Sequence, residues 1–205
     1  LKIAYRGMGT LGEDHHVAPS HPEYFPLPKR ERDVAAAKKL LADAGFPNGL
    51  DIDLIVGNTQ GRYEQDCAQI LQQNCLEAGI RLNLKVIPAA QYWPIWDKAA
   101  FSLTYWAHRP LGVMSLELAY RGGGAWNESH YSDPAFDAAL DRAMGIIDPK
   151  QRAVAMQSVE QILQDACVIV QPFWGDKFTA VSKKVQGFEV HPSDFYPMGN
   201  VWLSA

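Results

Sequence analysis

Two stretches of this chain alternate apolar and polar residues with a period of two. Leu50, Ile52, Leu54 and Val56 are interleaved with Asp51, Asp53 and Ile55, and Ile80, Leu82, Leu84 and Val86 with Arg81, Asn83 and Lys85. That period marks a half-buried strand. Between them, residues 62–78 carry Tyr63, Cys67, Ile70, Leu71 and Asn74 on one side at helical spacing, with Gly79 as the stop. Strand, helix, strand in this order predicts two parallel strands joined by a right-handed crossover. Upstream, Asp33 is a good N-cap, Val34, Ala37, Leu40, Leu41 and Ala44 fall on one helical face, and Gly45 supplies a left-handed stop.

Further along, residues 90–99 predict a short aromatic helix with Tyr92, Trp93 and Trp96, and Pro94 in its first turn, followed by a third strand over 101–106. Asp133-Pro134 and Asp148-Pro149 repeat one start signal, an acidic N-cap with Pro at the first helical position. They open helices over 134–145 and 149–166, the second burying Ala155, Val159, Ile162, Leu163 and Ala166. A buried strand is expected over 168–173, and shorter ones over 177–181 and 185–190. Residues 1–28 and 191–205 lack either period and are rich in Gly, Pro, His or aromatics, so they read as irregular segments that cross or seek another surface.

Composition narrows the class. With 205 residues, 47% of them hydrophobic and 20% charged, the chain can bury a sizeable core. A formal net charge of −4 and no long cluster of Lys and Arg give no footprint for a polyanion, so no nucleic acid is expected as a partner. No apolar run approaches the roughly 20 residues of a membrane-spanning helix. The three cysteines, Cys67, Cys75 and Cys167, are expected to be buried thiols, since the first two lie on one helix about 12 Å apart, beyond disulfide reach.

The order and punctuation of these elements resemble solute-binding protein family 5, which serves peptide, nickel and opine importers. The resemblance is carried by the helix DVAAAKKLLADAG from Asp33 to Gly45, the turn Phe46-Pro47-Asn48-Gly49, and Leu76-Glu77-Ala78-Gly79-Ile80. Further matches are Trp93 and Trp96 ahead of Tyr105-Trp106, Trp126-Asn127, Asp133-Pro134-Ala135-Phe136-Asp137, the segment from Asp148 to Arg152, and Val185-Gln186-Gly187-Phe188.

It implies an α/β fold, a periplasmic-binding-protein type II lobe with a mixed sheet, a βαβ core and flanking helices. It further implies the carboxy-terminal lobe of a two-lobed importer component, a fragment that encloses a peptide or small solute against a missing amino-terminal lobe. Residues 1–30 would then be a hinge-proximal lead-in, 31–190 the ligand-binding lobe and 191–205 a segment packing on the first lobe. The remaining implications are a membrane ABC permease as partner, a periplasmic or extracytoplasmic setting, no cofactor and no catalysis.

In open α/β sheets ligands sit beyond the carboxyl ends of the strands, which selects residues 106–114. Trp106 reads as pocket wall or core, and His108 and Arg109 are two potential cations beside it. In peptide-binding members of the family an Asp soon after the corresponding Trp pairs with the ligand's amino terminus; here Arg109 stands about there. A guanidinium attracts carboxylates and repels ammonium, which favours an anionic or opine-like solute. Alternatively Arg109 pairs with Glu117 and only fixes the loop. The second candidate loop runs from Tyr120 through Gly122, Gly123 and Gly124 to Trp126 and Asn127, with Asn127 either touching ligand or capping the turn.

Other classes are poorly supported. Asp14-His15-His16 and His21 lack the spacing of a helical zinc pair, so no metal site is expected. No GxSxG occurs, and Asp51 and Asp53 fit a solvated strand face. A sensing domain of a regulator using the same lobe is the remaining alternative; an upstream helix-turn-helix would distinguish it from a transporter component.

Overall fold

The computed structural model describes residues 2–193 and 195–204. Leu1, Asp194 and Ala205 therefore fall outside the described residues of the two expected end segments. The alternating runs form β2 (Leu50–Val56) and β3 (Ile80–Val86), with α3 (Tyr63–Leu76) between them, after β1 (Gly9–Leu11) earlier in the chain. β2 and β3 pair in parallel over their whole length, Leu50 opposite Ile80 and Val56 opposite Val86. On the other side of β2 lies the short β4 (Ser102–Leu103), also parallel. Leu54, Val56, Leu82 and Ala68 are buried together as one core, while Asp51 and Arg81 form a bidentate pair on the exposed face.

A second core is helical. α5 (Gly112–Tyr120), α6 (Pro134–Met144) and α7 (Pro149–Ala166) bury Leu116, Tyr120, Phe136, Leu140, Met156, Val159 and Leu163 against one another. Complete burial of each such side chain contributes about 1.5–3 kcal/mol. Asp133 and Asp148 cap α6 and α7 as expected, accepting from the N–H groups of Ala135 and Gln151. Asp33 does the same for α2 (Val34–Asp43), accepting from Ala36, and Gly45 stops that helix at φ +90°.

Several expectations are corrected by tertiary contacts. α2 buries no residue fully: Val34, Ala37 and Leu41 are half-buried, and Leu40 is 69% exposed, so its apolar stripe is only partly covered. The buried face of α3 is turned by one position, to Glu64 and Ala68, and Asn74 is exposed. Glu64 is tolerated inside because its carboxylate accepts from Thr59 N, Thr59 Oγ1 and Gln60 N. The aromatic helix shrinks to α4 (Ala89–Tyr92): Trp93 still has helical backbone angles, but Pro94 has no N–H to continue the ladder and the chain goes on in turns.

α7 buries Arg152, Glu160 and Gln164 alongside Val159 and Leu163, and Ala166 is exposed. The strand expected over 168–173 is only β5 (Phe173–Gly175), because the preceding backbone bonds to side chains: Gln171 N–H donates to Asp14, and Gln171 Oε1 accepts from Glu13 N–H. Residues 177–181 form no strand, with Phe178 67% exposed. Of 185–190, only β6 (Val185–Gln186) pairs, antiparallel with β7 (Trp202–Leu203). Cys167 is exposed in a left-handed C-cap and the other two cysteines are half-buried; all three are free.

The largest departure is at the start of the chain. Residues 1–28 are not a loose surface segment: they hold α1 (Lys2–Tyr5) and β1, which pairs antiparallel with β5, and they bury His15, Val17, His21, Glu23 and Leu27. Glu23 accepts from the backbone N–H of Val113 and so caps α5, whose own flanking residue Leu111 has no side chain that could. Gly112 is obligatory there, since a Cβ would stand 2.7 Å from Val17.

Candidate functional site

Beyond the carboxyl ends of β2, β3 and β4, four indoles meet. Trp93 and Trp96 come from the turns after α4, Trp106 from the segment after β4, and Trp126 from the loop between α5 and α6. Ring centroids of Trp96, Trp106 and Trp126 are separated by 6.5, 6.4 and 6.2 Å at interplanar angles of 65°, 87° and 66°. Inserting a flat group between two rings needs parallel faces about 7 Å apart, twice a carbon contact distance. The triangle is packed edge to face on itself, so it forms a platform whose outer faces are available. Trp93 and Trp126 are almost half exposed.

Arg109 lies on this platform, its guanidinium carbon 5.7 Å from the centre of the Trp126 ring. Among the described residues it makes no ion pair, and its Nε is buried without a hydrogen-bond partner. Glu117, the alternative partner read from the sequence, is engaged instead by Arg121, which also reaches Asp141. The loop carrying Arg109 is held from beneath by His21. Its Nδ1 accepts from Ala18 N–H, which places the proton on Nε2, and Nε2–H donates to the Arg109 carbonyl at 3.0 Å. His108 stacks on His21 at 4.6 Å and 10°, and burial, with help from His21, pushes its pKa down to about 4. His108 is thus a neutral stacking surface at pH 7.

Tyr120 is 1% exposed and belongs to the helical core, its hydroxyl hydrogen-bonded with His16 Nδ1. His16 in turn stacks on Trp106 at 5.1 Å, and burial lowers its pKa to about 3. Asn127 is buried, its amide donating to the carbonyls of Tyr120, Arg121 and Tyr131 while its oxygen accepts from Ser129. These bonds close the loop that presents Trp126. Of the three glycines, only Gly123 adopts a left-handed backbone, at φ +74°.

The structure therefore brings Trp106, Arg109 and Trp126 to one exposed platform, with His108 beside it and Tyr120 and Asn127 in its support. Sequence reading passed over Glu128. Its Oε1 accepts from Trp106 Nε1–H at 2.6 Å and its Oε2 from the Thr104 hydroxyl at 2.5 Å. A lone acid in a loop without periodicity carries no signal of this kind. Among the described residues no group of three or more His, Cys, Asp or Glu is arranged to hold a metal ion. A depression of about 310 Å³ lies at the opposite end of the sheet, around Phe46, Pro47 and Gly49, and shares no residue with the platform.

The α/β arrangement is that of the periplasmic-binding-protein type II fold, and comparison with known proteins agrees. The chain belongs to the bacterial extracellular solute-binding proteins of family 5, whose family model, described as "family 5 Middle", matches residues 1–121. It is 23% identical to Heme-binding protein A of Haemophilus influenzae over 94% of this chain and 37% of that protein. It is 25% identical to the periplasmic oligopeptide-binding protein OppA of Escherichia coli, over 82% of this chain and 32% of OppA. The binding protein AgaA of A. tumefaciens R10, solved with agropinic acid, superposes with a TM-score of 0.80 over the whole chain and 44% of its own length, at 20% identity. The chain thus spans between 32% and 44% of the length of these relatives.

Proposed function

We propose that this chain is the carboxy-terminal lobe of the substrate-binding component of an ABC importer, which holds an anionic or peptide-like solute and delivers it without chemistry. Family membership supports the transport role, since its relatives are named as binding proteins. The observation that carries the ligand class is Arg109: a guanidinium laid on an exposed indole with a buried, unpartnered Nε is an anion site awaiting an acceptor. Trp126 and Trp106 supply apolar area beside it.

In this reading the solute rests on the platform and an amino-terminal lobe closes over it. Affinity comes from differential binding to the closed state, and a permease receives the closed complex in a periplasmic or extracytoplasmic setting. Residues 191–205 complete the contact with the first lobe. Phe195, Met198, Trp202 and Leu203 are all at least 60% exposed, an apolar face that suits such a partner.

Calorimetry of the longer protein that carries this chain, against neutral tripeptides, agropinic acid and sugar acids, tests the ligand class. Binding of an anionic probe that falls at least tenfold with Arg109→Ala is expected, equivalent to about 1.4 kcal/mol. Tight binding of neutral tripeptides that ignores Arg109→Ala would overturn the anion site. The isolated lobe is expected to bind the same probes weakly, because half of the enclosure is missing.

A further inference from the structure

We propose that Glu128 is the positioning residue of the aromatic platform: it fixes the Trp106 indole by its N–H edge, and Trp106 holds Trp126, and with it Arg109, in place. The proposal rests on the reading of that platform as the ligand surface.

Among the described residues Glu128 makes no hydrogen bond or ion pair with Arg109, and it acts through its neighbours. Each carboxylate oxygen receives one short bond, from Trp106 Nε1–H and from the Thr104 hydroxyl. Bonds to a charged acceptor are stronger and more directional than neutral ones, so the indole edge is held in one orientation. His16 covers one face of the same ring. Held at the edge by the acid and on the face by the imidazole, Trp106 can swing only by breaking one of the two. Trp96 and Trp126 then pack edge to face on it, and Arg109 lies on Trp126.

The acid is also anchored on its far side. The Thr104 hydroxyl meets that of Tyr92, whose hydroxyl lies 3.1 Å from Ser102 Oγ and whose ring is fully buried. Gly57, at the end of β2, makes room for that ring: a Cβ there would stand 2.3 Å from it. Glu128 follows directly on Asn127, the residue that closes the Trp126 loop on the helical core. The carboxylate therefore ties the loop of the helical core to the sheet, and the platform spans that junction.

The test compares Glu128→Ala with Glu128→Gln, whose amide oxygen still accepts from Trp106. In Glu128→Ala, loss of the near-ultraviolet circular dichroism of the indoles and a red shift of tryptophan emission are expected, with far-ultraviolet dichroism unchanged. Glu128→Gln should retain both signals. An indole spectrum unchanged in Glu128→Ala would overturn the positioning role.

If Glu128→Ala does not fold, pH titration of tryptophan emission in the unaltered chain and in Glu128→Gln decides. His16, the other titratable group against Trp106, is held neutral down to about 3. Burial raises the Glu128 carboxyl above its ordinary range against the two donors. An emission transition above that range, absent in Glu128→Gln, is expected; identical titrations would refute the coupling. In the longer protein, Glu128→Ala should weaken whichever anionic probe Arg109 binds. Spectral loss with no anionic probe bound by the unaltered protein would count against the ligand class alone.

Discussion

Glu128 and Glu160 are the same residue type in low-exposure settings, and the protein treats them differently. Glu128 sits in a loop with a donor for each oxygen, so its charge is supported where it is needed. Glu160 lies on α7 with no exposure, and among the described residues the backbone N–H of Phe25 is the one donor that reaches it, outside good hydrogen-bond geometry. It faces His15 Nε2 at 3.7 Å, which is also 3.5 Å from Glu13. Burial, with the charge of Glu13 adding to it, raises the Glu160 pKa to about 9, and the N–H of Phe25 offsets little. His15 is pushed down to about 4, first by burial and then by His21. Burial raises both carboxyls; at one the donors hold the shift back, and at the other it runs far. The number of donors within reach decides which.

The largest effect that separates the two is pH dependence of stability. Glu160 has its folded pKa raised from 4.5 to about 9, so its folded form binds the extra proton across that window, and stability falls as pH rises through it. Linkage over three pH units sets a ceiling of about 4 kcal/mol between pH 5 and 8. His15, lowered from 6.5 to about 4, acts in the other direction: stability is lost as pH falls across that window. His16 and His108, lowered to about 3 and about 4, act as His15 does, so urea unfolding should show an optimum at about pH 7, and Glu160→Gln should flatten the alkaline limb. An alkaline limb that Glu160→Gln leaves unchanged would mean that Glu160 is ionised in the fold.

Trp106→Phe would make Glu128 resemble Glu160 by stripping one donor from a half-buried carboxylate. The expected cost is about 1–3 kcal/mol in thermal or urea unfolding at pH 7, smaller at pH 4, where a protonated acid needs the donor less. A cost independent of pH would show that lost ring packing, not the N–H, is what the substitution removes.

The smallest effect is at an exposed acid that has only a local task. Asp148 accepts from Gln151 N–H at the start of α7, and Asp148→Ala should cost about 1 kcal/mol, steady from pH 5 to 8. A cost that changed across this range would tie the cap to the Glu160 cluster at the middle of the same helix.

Much of the scaffold was legible because it is local. The two alternating runs, the acid-Pro starts at Asp133 and Asp148 and the stop at Gly45 each place their chemistry within a few residues, and the structure realises all of them. The Trp106 to Trp126 region was legible from the rule on strand ends, and Arg109 from its charge. α5 was not legible: its nine residues are apolar almost all round, and its cap comes from Glu23, 90 positions upstream. Tyr120 drew attention as a loop aromatic, yet it closes that helix inside the core. Glu128 was invisible because its partners, Thr104 and Trp106, lie over 20 residues away.

By itself the sequence determined the elements with a period or a local cap, the parallel βαβ unit, and the residue types gathered at the strand ends. Those depend on backbone geometry and on interactions within a turn or two. Only the tertiary structure decided which polar groups are satisfied: that His15, Val17, His21, Glu23 and Leu27 enter the core, that His21 holds the Arg109 loop, and that Glu128 has two close donors while Glu160 has none in good geometry. Hydrogen bonds and burial between distant segments leave no period along a chain, and here they set both the charge of each acid and the shape of the platform.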